Sequence, residues 1–534
     1  MAEYLAPGVY VEEVSAGPKP IEGVSTSTTG FVGSTERGPT DARLVTSFPE
    51  FQRCYGGGAG GSFLTSSVQG YFANGGKRCY VARVVGRNAR TSGLDWKAAS
   101  GSFTTRPTRT RKPPPEEKEA AEALPQRTEA SSSLHIEAIG PGAWGDRVAV
   151  MVGPASSERA DLFRLRLAYW SGAPPEVPIA DPTDFRARRD PKWREPAAIE
   201  EYDNLSMDPA STSFVQARIN ASSSLVRVTA ASTARPGDDN WQLMQGGSDH
   251  ELSLEDYRGA STIGQRTGLA ALADVDEISI VCAPDHNDVV GLDAVLVQEH
   301  CELLKDRFAI LSAPRGAAPE SLRPPLDSSF AAYYYPWVRP AGASASTPSL
   351  VPPIGHVAGI FARSDTERGV HKAPANEVVR GVVGLEFPIG QGDQEILNPR
   401  AVNCIREFTG RGIRLWGART MSSDPELKYV NIRRLLLFLE ESIHESTQWV
   451  VFEPNDASLW VRVRQTVGDF LTRVWRGGAL MGHSADQAFF VRCGETTMTQ
   501  DDIANGRLIV LVGVAPVKPA EFVIFRISQY RSEN

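Results

Sequence analysis

The sequence predicts a mixed α/β protein of several domains. An α/β core is built from the N- and C-terminal parts of the chain, a β-rich domain is inserted between them, and an extended β-strand arm stands at each end. Three observations carry this. The 534 residues exceed what one hydrophobic core usually holds. Near both ends, strand-like apolar runs alternate with helix-periodic segments, the pattern of βαβ units and a largely parallel sheet. Between them, short period-two stretches separated by turns take over.

Taken in order, the front arm is Val9-Tyr10-Val11-Glu12-Glu13-Val14, a β-branched run closed by Gly17-Pro18-Lys19-Pro20. Thr28 to Gly33 reads as a strand and turn, Phe48 to Phe51 as a short helix, Val68 to Phe72 as helical, and Cys79 to Val85 as a strand. Thr104 to Ser133 is rich in Pro, Thr, Lys and Glu and predicts a mobile surface loop. Beyond it come three strand-like pieces: Arg147 to Val152, Leu162 to Leu167, and Leu225 to Val228. Phe163, Leu165 and Leu167 alternate with Arg164 and Arg166, as half-buried antiparallel sheet requires.

Past Gly246-Gly247 the α/β character returns. Leu269 to Leu272 leads to a buried-type strand over Ile278 to Pro284, a helix through Val295 to Leu304, and a strand from Phe308 to Leu311. Asp424-Pro425 predicts an N-cap and first-turn proline for a helix with Ile432, Leu435, Leu436, Leu439 and Ile443 on one stripe. A second helix follows Pro454, with Leu459, Trp460, Val463, Val467, Phe470, Leu471 and Val474 on its apolar face and Gly477-Gly478 at its end. Leu508 to Ala515 reads as a buried strand. Lys518-Pro519 leads into a last strand, Glu521 to Ser528, containing Phe522, Val523, Ile524, Phe525 and Ile527. The expected organisation is an arm over 1–20, core over 21–92, insertion over 93–245, core over 246–515, and an arm over 516–534.

Apolar content of 41% and charged content of 22% suit a packed core, and the net charge of −8 argues against a general nucleic-acid binder. No stretch approaches the ~20 apolar residues that span a bilayer. The N-terminus has Glu3 and Pro7 and no basic-then-apolar run, so no secretory signal is expected. Six cysteines without CxxC spacing read as reduced core thiols of a cytosolic product.

The chemical motifs are weak, and no catalytic residue, cofactor or metal is assigned. Gly56 to Gly61 fits GxGxxG literally, but no strand runs straight into it, so a loop is expected. Gly75-Gly76-Lys77-Arg78 lacks the register and hydroxyl of a phosphate loop and reads as a turn. Asp285-His286-Asn287-Asp288 reads as a strand-to-helix turn, and neither HExxH nor GxSxG occurs. Glu440-Glu441 and Asp501-Asp502 read as solvated. Arg462, Arg464, Arg473 and Arg476 flank the last long helix, facing solvent or an acidic partner. Strand-like termini on Pro-rich tethers can fold back or add to the sheet edge of another subunit, and mutual addition makes a polymer.

Several stretches carry a resemblance. They are Pro7 to Glu13; Asn74-Gly75-Gly76 with Cys79 to Val84; Tyr334-Tyr335-Pro336-Trp337; Pro352 to Gly359; and Lys372 to Asn376. The C-terminal part adds Asn398-Pro399, Asn403 to Arg406, Gly410 to Ile413, Trp416 to Thr420, Gln448 to Asn455, and Ala515 to Phe522. In order, over the start and about the last half of the chain, these resemble contractile tail sheath proteins of phages and injection systems. The region from Thr91 to Met244 shows no such resemblance, as a variable outward-facing insertion would not.

The resemblance implies a structural subunit and not an enzyme. Such subunits form stacked helical six-membered rings around an inner tube, between baseplate and terminal cap proteins, without membrane insertion or direct nucleic-acid contact. They are metastable when extended and contract to drive the tube through a target envelope. It implies assembly in the bacterial cytoplasm as part of a phage tail or a phage-tail-like particle, with lysis as the route of release. The family's mesh pairs terminal strands of different subunits, which places Val9, Tyr10, Val11, Glu12, Val14 and Phe522, Val523, Ile524, Phe525, Ile527 in inter-subunit ladders. Gly17, Pro18, Pro516 and Pro519 become hinges, and Arg462, Arg473 and Arg476 become candidates to face the tube. Two other readings stay open: an α/β nucleotide-binding enzyme using the glycine run, and a non-contractile shell protein.

Overall fold

The structure is a computed structural model that describes residues 20–58, 61–99, 132–157, 159–184, 186–191, 193–342 and 349–524. The front arm, Gly17, Pro18, Phe525, Ile527 and most of the loop expected over 104–133 lie outside these residues. The described chain divides into two compact units, with boundaries after Phe31, Thr65, Tyr80 and Leu272.

The first unit joins the start of the chain and Ser66–Tyr80 to the residues after Leu272. Its sheet runs in the order Glu377–Val378, Gly412–Trp416, Val402–Phe408, Ala331–Tyr335, Phe308–Ser312, Ile280–Cys282, Thr29–Gly33. From Thr29–Gly33 to Val402–Phe408 every pairing is parallel, and Gly412–Trp416 and Glu377–Val378 add an antiparallel edge. Phe308–Ser312 and Ala331–Tyr335 are buried at every residue, the continuous apolar runs that a sheet covered on both faces demands.

Helix Ile354–Arg368 buries eleven of its residues. Two of its glycines let helix Leu64–Ala73 come against its backbone: a methyl at Gly355 would lie 2.0 Å from the Ser67 carbonyl oxygen, and one at Gly359 2.4 Å from that of Tyr71. The helix expected over Val295 to Leu304 forms with a wide-turned centre, Leu292–Ala294 and Glu302–Leu304 being α-helical around a π-helical Val295–Cys301. Side-chain periodicity does not announce such a bulge.

Two expectations are corrected here. The long helix starts at Val430 and not at Asp424-Pro425. The Asp424 carboxylate instead accepts from the Glu426 N–H at 2.9 Å, which makes a local turn, and Thr420 N–H bonds the Lys428 carbonyl at 2.9 Å. Asp-Pro serves a turn as readily as a cap. The segment Leu508 to Ala515 does contain a strand, Val510–Val514, but it is half exposed, because it pairs only with Phe489–Cys493 in a two-stranded sheet. Helix Ala457–Arg476 starts where expected: the Asp456 carboxylate caps it by accepting from the Leu459 N–H at 2.8 Å.

The second unit holds the β-rich part. Four antiparallel strands lie in the order Asp239–Leu243, Val148–Pro154, Phe163–Tyr169, Ala198–Leu205, and three more in the order Gly93–Lys97, Ser132–Ala138, Val226–Ala230. Their inner residues, including Trp96, Leu134, Ile136, Phe163, Leu165, Leu167 and Val228, form one buried cluster that Trp144 of the short helix Ala143–Arg147 joins. All six cysteines of the chain are buried, and none forms a disulfide.

Candidate assembly surface in the C-terminal region

The C-terminal part of the first unit presents apolar backbone edges. Helix Ala457–Arg476 packs Leu459, Val463, Val467, Phe470 and Leu471 into a cluster shared with helix Val430–Ser446 and with Phe489, Val491, Val510 and Val514 of the hairpin. Period-two alternation then sends Phe490, Arg492 and Leu511 to the opposite face. Phe490 and Leu511 are each 48% exposed, and the Arg492 guanidinium lies 5.0 Å above the Phe490 ring. That ring covers Gly513, whose missing side chain leaves room for it: a methyl there would sit 2.2 Å from the ring. The hairpin is a two-stranded sheet, so each strand is an edge strand, the arrangement most open to a third strand.

After the hairpin the chain is held and then released. Leu480 and Pro516 form an isolated antiparallel bridge, and Val517 N–H bonds the Ala479 carbonyl at 3.2 Å. Glu521 is gripped from several sides. Arg419 Nε and Nη2 donate to its two carboxylate oxygens at 2.7 Å each, Asn398 Nδ2 donates at 2.9 Å, and the Tyr429 hydroxyl donates at 3.0 Å. Lys428 Nζ stands 4.0 Å away. Burial pushes this carboxyl up, but the hydrogen bonds from Arg419 and Asn398 outweigh it and hold the group below the usual Glu range. Directly after it, Phe522, Val523 and Ile524 have no regular secondary structure and are 72%, 69% and 78% exposed.

Of the arginines named in the sequence, Arg462, Arg473 and Arg476 fall along one side of helix Ala457–Arg476, spread over about 21 Å of axis, while Arg464 lies on the opposite side and donates to the Cys493 carbonyl. Their situations differ. Arg462 is paired with Glu453 at 2.7 Å and stacks 5.3 Å above Trp449. Arg473 donates to the Ile21 carbonyl at 2.5 Å. Arg476 is exposed in the last turn. Nearby, Phe452 is fully exposed at a left-handed φ of 69°, held by a loop whose Asn455 bonds both Trp460 Nε1 at 2.8 Å and the Arg507 carbonyl at 3.1 Å.

The weaker motifs resolve locally. Gly56 caps helix Phe48–Tyr55 at a φ of 88°, and the Gly57 N–H donates to the Glu36 carboxylate at 2.9 Å, so an acid stands where a phosphate would need to be. Gly75 and Gly76 form a turn, their N–H groups bonding Phe72 and Tyr71 carbonyls. His286 is buried and accepts from Ser312 N–H at 3.1 Å, an internal structural contact. Among the described residues, no group of three or more His, Cys, Asp or Glu side chains is placed to hold a metal, and no helix is long and apolar enough to cross a membrane. The solvated reading of Glu441 is corrected: it is half-buried beside Asp306 and Asp276, and burial foremost pushes its carboxyl above the usual range. Glu440 accepts from Arg433 at 3.3 Å, and Asp501 and Asp502 both pair with Arg507.

Comparison with known proteins places this surface in a family. The family model of the phage tail sheath protein central domain matches residues 258–421, and that of the phage tail sheath C-terminal domain matches residues 422–529. Together they cover just over half of the 534 residues. The chain belongs to the phage tail sheath family. The tail sheath protein of Burkholderia phage BcepMu is 28% identical over 260 residues, 44% of this chain and 54% of that protein. The chain thus spans about half the length of that relative. The sheath of an extracellular contractile injection system, PVC, in its contracted state matches at a TM-score of 0.55 and 20% identity, covering 99% of each chain. The contracted helical sheath of the anti-feeding prophage matches at a TM-score of 0.54 and 22% identity, over 98% of this chain and 99% of that one. These two likenesses show the shared fold.

Sequence reasoning missed the Glu521 grip and the exposed hairpin face. Asn398, Arg419 and Glu521 all sit inside stretches that carry the family resemblance. Nothing local in the sequence joins positions 102 apart. The alternation Phe489 to Cys493 was a signal for the hairpin, and its outward Phe490 was the clue that this face is not meant for water.

Proposed function

We propose that this chain is the sheath subunit of a contractile, phage-tail-like injection machine. It polymerises as stacked six-membered rings around an inner tube, held between baseplate and terminal cap proteins, and shortens to drive the tube through an envelope. Within a family of structural sheath proteins, one observation carries the reading. An edge-open hairpin with an apolar outer face and a tail of three exposed apolar residues lie in the same C-terminal region of one chain.

The energetics favour mutual strand addition. Each added ladder hydrogen bond nets only about 0.5–1.5 kcal/mol. Ordering each arm residue costs roughly 1–2 kcal/mol. Burying side chains such as Phe522 and Ile524 returns roughly 1.5–3 kcal/mol each and tips the balance. One link is marginal and many in parallel form a net. A head-to-tail contact that does not close on itself winds into an open helix. The front arm, Val9 to Val14, is the complementary strand of this scheme, with Gly17-Pro18 as its hinge. The side of helix Ala457–Arg476 bearing Arg462, Arg473 and Arg476 is assigned to the tube, through acidic residues of the tube protein. Assembly belongs to the bacterial cytoplasm, and release to lysis.

Electron microscopy of the expressed full chain tests this. Hollow tubes of stacked six-membered rings are expected, and removal of residues 1–17 should leave folded protein that makes no continuous tube. Solitary molecules at high concentration, or closed shells, overturn the reading.

A further inference from the structure

Both ends of the described chain are fastened around one helix. On the C-terminal side, Asn431 Nδ2 donates to the Val517 carbonyl at 3.3 Å, and Tyr429, at the helix N-cap, joins Arg419 and Asn398 on Glu521. On the N-terminal side, Val24 N–H donates to Ser442 Oγ at 3.1 Å and Arg434 Nη2 donates to the Thr26 carbonyl at 2.7 Å. Arg434 is itself locked to buried Asp365 at 2.7 Å. Asn431, Arg434 and Ser442 all belong to helix Val430–Ser446. Asn431 and Ser442 are about 16 Å apart along its axis.

We propose that Glu521 and Arg419 are positioning residues of the C-terminal arm: a clamp that fixes where the arm departs and passes any pull on it to helix Val430–Ser446, whose far half holds the N-terminal linker. The inference rests on the reading of the tail as an inter-subunit strand and adds how that strand is coupled to the core. Without the clamp, Lys518 to Glu521, beyond the tethered Val517, would be about 13 Å of slack when extended. A neighbour could then move that far before tension reached the fold. With the clamp, freedom begins at Phe522. The Arg419 side chain is only 8% exposed, so this pair is not a loose surface bridge. Opening it strands a guanidinium away from water. The two-pronged geometry fixes direction as well as distance.

The test has two arms. The six native cysteines are buried, so Val523→Cys offers a selective site for a nitroxide spin label on the monomer. The label should move several-fold faster in the Glu521→Gln and Glu521→Ala backgrounds, and to an intermediate degree with Arg419→Lys, which keeps the charge and loses the fork. Acidification through the Glu521 titration should free the label in the parent but change little in Glu521→Gln. Arg419, Lys428 and Tyr429 are the charged and titratable groups facing that carboxyl. Equal mobility in all backgrounds overturns the clamp. In the second arm, unlabelled Glu521→Gln chains should form sheaths whose contracted fraction falls several-fold. A freed label with parent-like contraction also overturns the positioning role. Should the unsubstituted chain form no tubes, it is the sheath reading that fails, and the label alone then decides the clamp.

Discussion

Two sheets in this chain obey the same alternation and end differently. In the β-rich unit, strand Phe163–Tyr169 turns Phe163, Leu165 and Leu167 inward, and its outward Arg164 and Arg166 meet Asp203 at 2.9 Å and Glu201 at 3.5 Å. In the C-terminal hairpin the inward residues are equally apolar, but the outward ones are Phe490 and Leu511, with Arg492 folded over the ring. The first sheet is finished within its own unit: its outward Arg164 and Arg166 are paired, and Ala149, Ala168 and Trp241 are covered by a second apolar cluster with Trp170 and Ile179. The second keeps an apolar face and open edges in the lone chain. Exposed apolar surface of this kind marks a contact with something else. An outward residue, far more than an inward one, tells which sheet is complete.

The sharpest way to break that contrast is a matched pair of leucine truncations. Leu165→Ala empties a fully buried site and should cost about 2–5 kcal/mol in denaturant unfolding. Leu511→Ala, on a half-exposed face, should change monomer stability by no more than about 0.5 kcal/mol while slowing assembly. Equal losses in the monomer would mean the hairpin face is already covered, and the contrast would fail.

A smaller effect separates core from surface by pH. His356, in the buried helix Ile354–Arg368, is pushed down to about 4 by burial. The sign follows from linkage. A histidine depressed in the folded state is neutral in both states above its ordinary value near 6.5. Below that, the unfolded chain takes the proton first, so stability is present at neutral pH and lost as pH falls from about 6.5 towards 4. The full loss is about 3 kcal/mol. Buried His300, lowered to about 3 by burial and then by Arg307, acts in the same direction. His356→Leu should flatten the fall in unfolding midpoint over this window. Parallel curves for parent and variant would show that His356 is not sealed from water.

Much of the fold was legible because its signals are local. The apolar runs at Ile280–Cys282 and Phe308–Ser312, the alternation of Phe163 to Leu167, and the stripe from Leu459 to Leu471 each fit inside one element. Asp424-Pro425 misled because a turn and a cap want the same residues, and the choice is made by the Thr420–Lys428 pairing before the helix. The strand over Val510–Val514 was visible but its burial was not, since two-stranded and many-stranded sheets use the same residues. The candidate surface was legible only in part. Phe522 to Ile524 stood out as an apolar run. The partner of Glu521 lies across the fold, and Arg473 could be seen as a cation but not as the donor to Ile21. Contacts of that range are settled by packing, which one sequence does not display.

The smallest expected effect probes the finished sheet. Asp203 accepts from Arg164 at 2.9 Å and from the Ser156 and Asn204 N–H groups at 3.1 and 2.8 Å. The Arg164 hydrogen bond, above all, holds its carboxyl below the usual Asp range. A depressed carboxyl stabilises the fold above its unfolded value near 4, and that contribution fades as pH falls through the folded value. Both side chains keep roughly a quarter of their surface in water, so solvent screens the pair, and Asp203→Asn should cost at most about 1 kcal/mol at neutral pH. The cost should shrink further in molar salt and as the pH is lowered, and assembly into tubes should proceed at the parent rate. A large loss of assembly in this variant would make the charged face of the insertion a contact surface too, and the two sheets would no longer differ in kind.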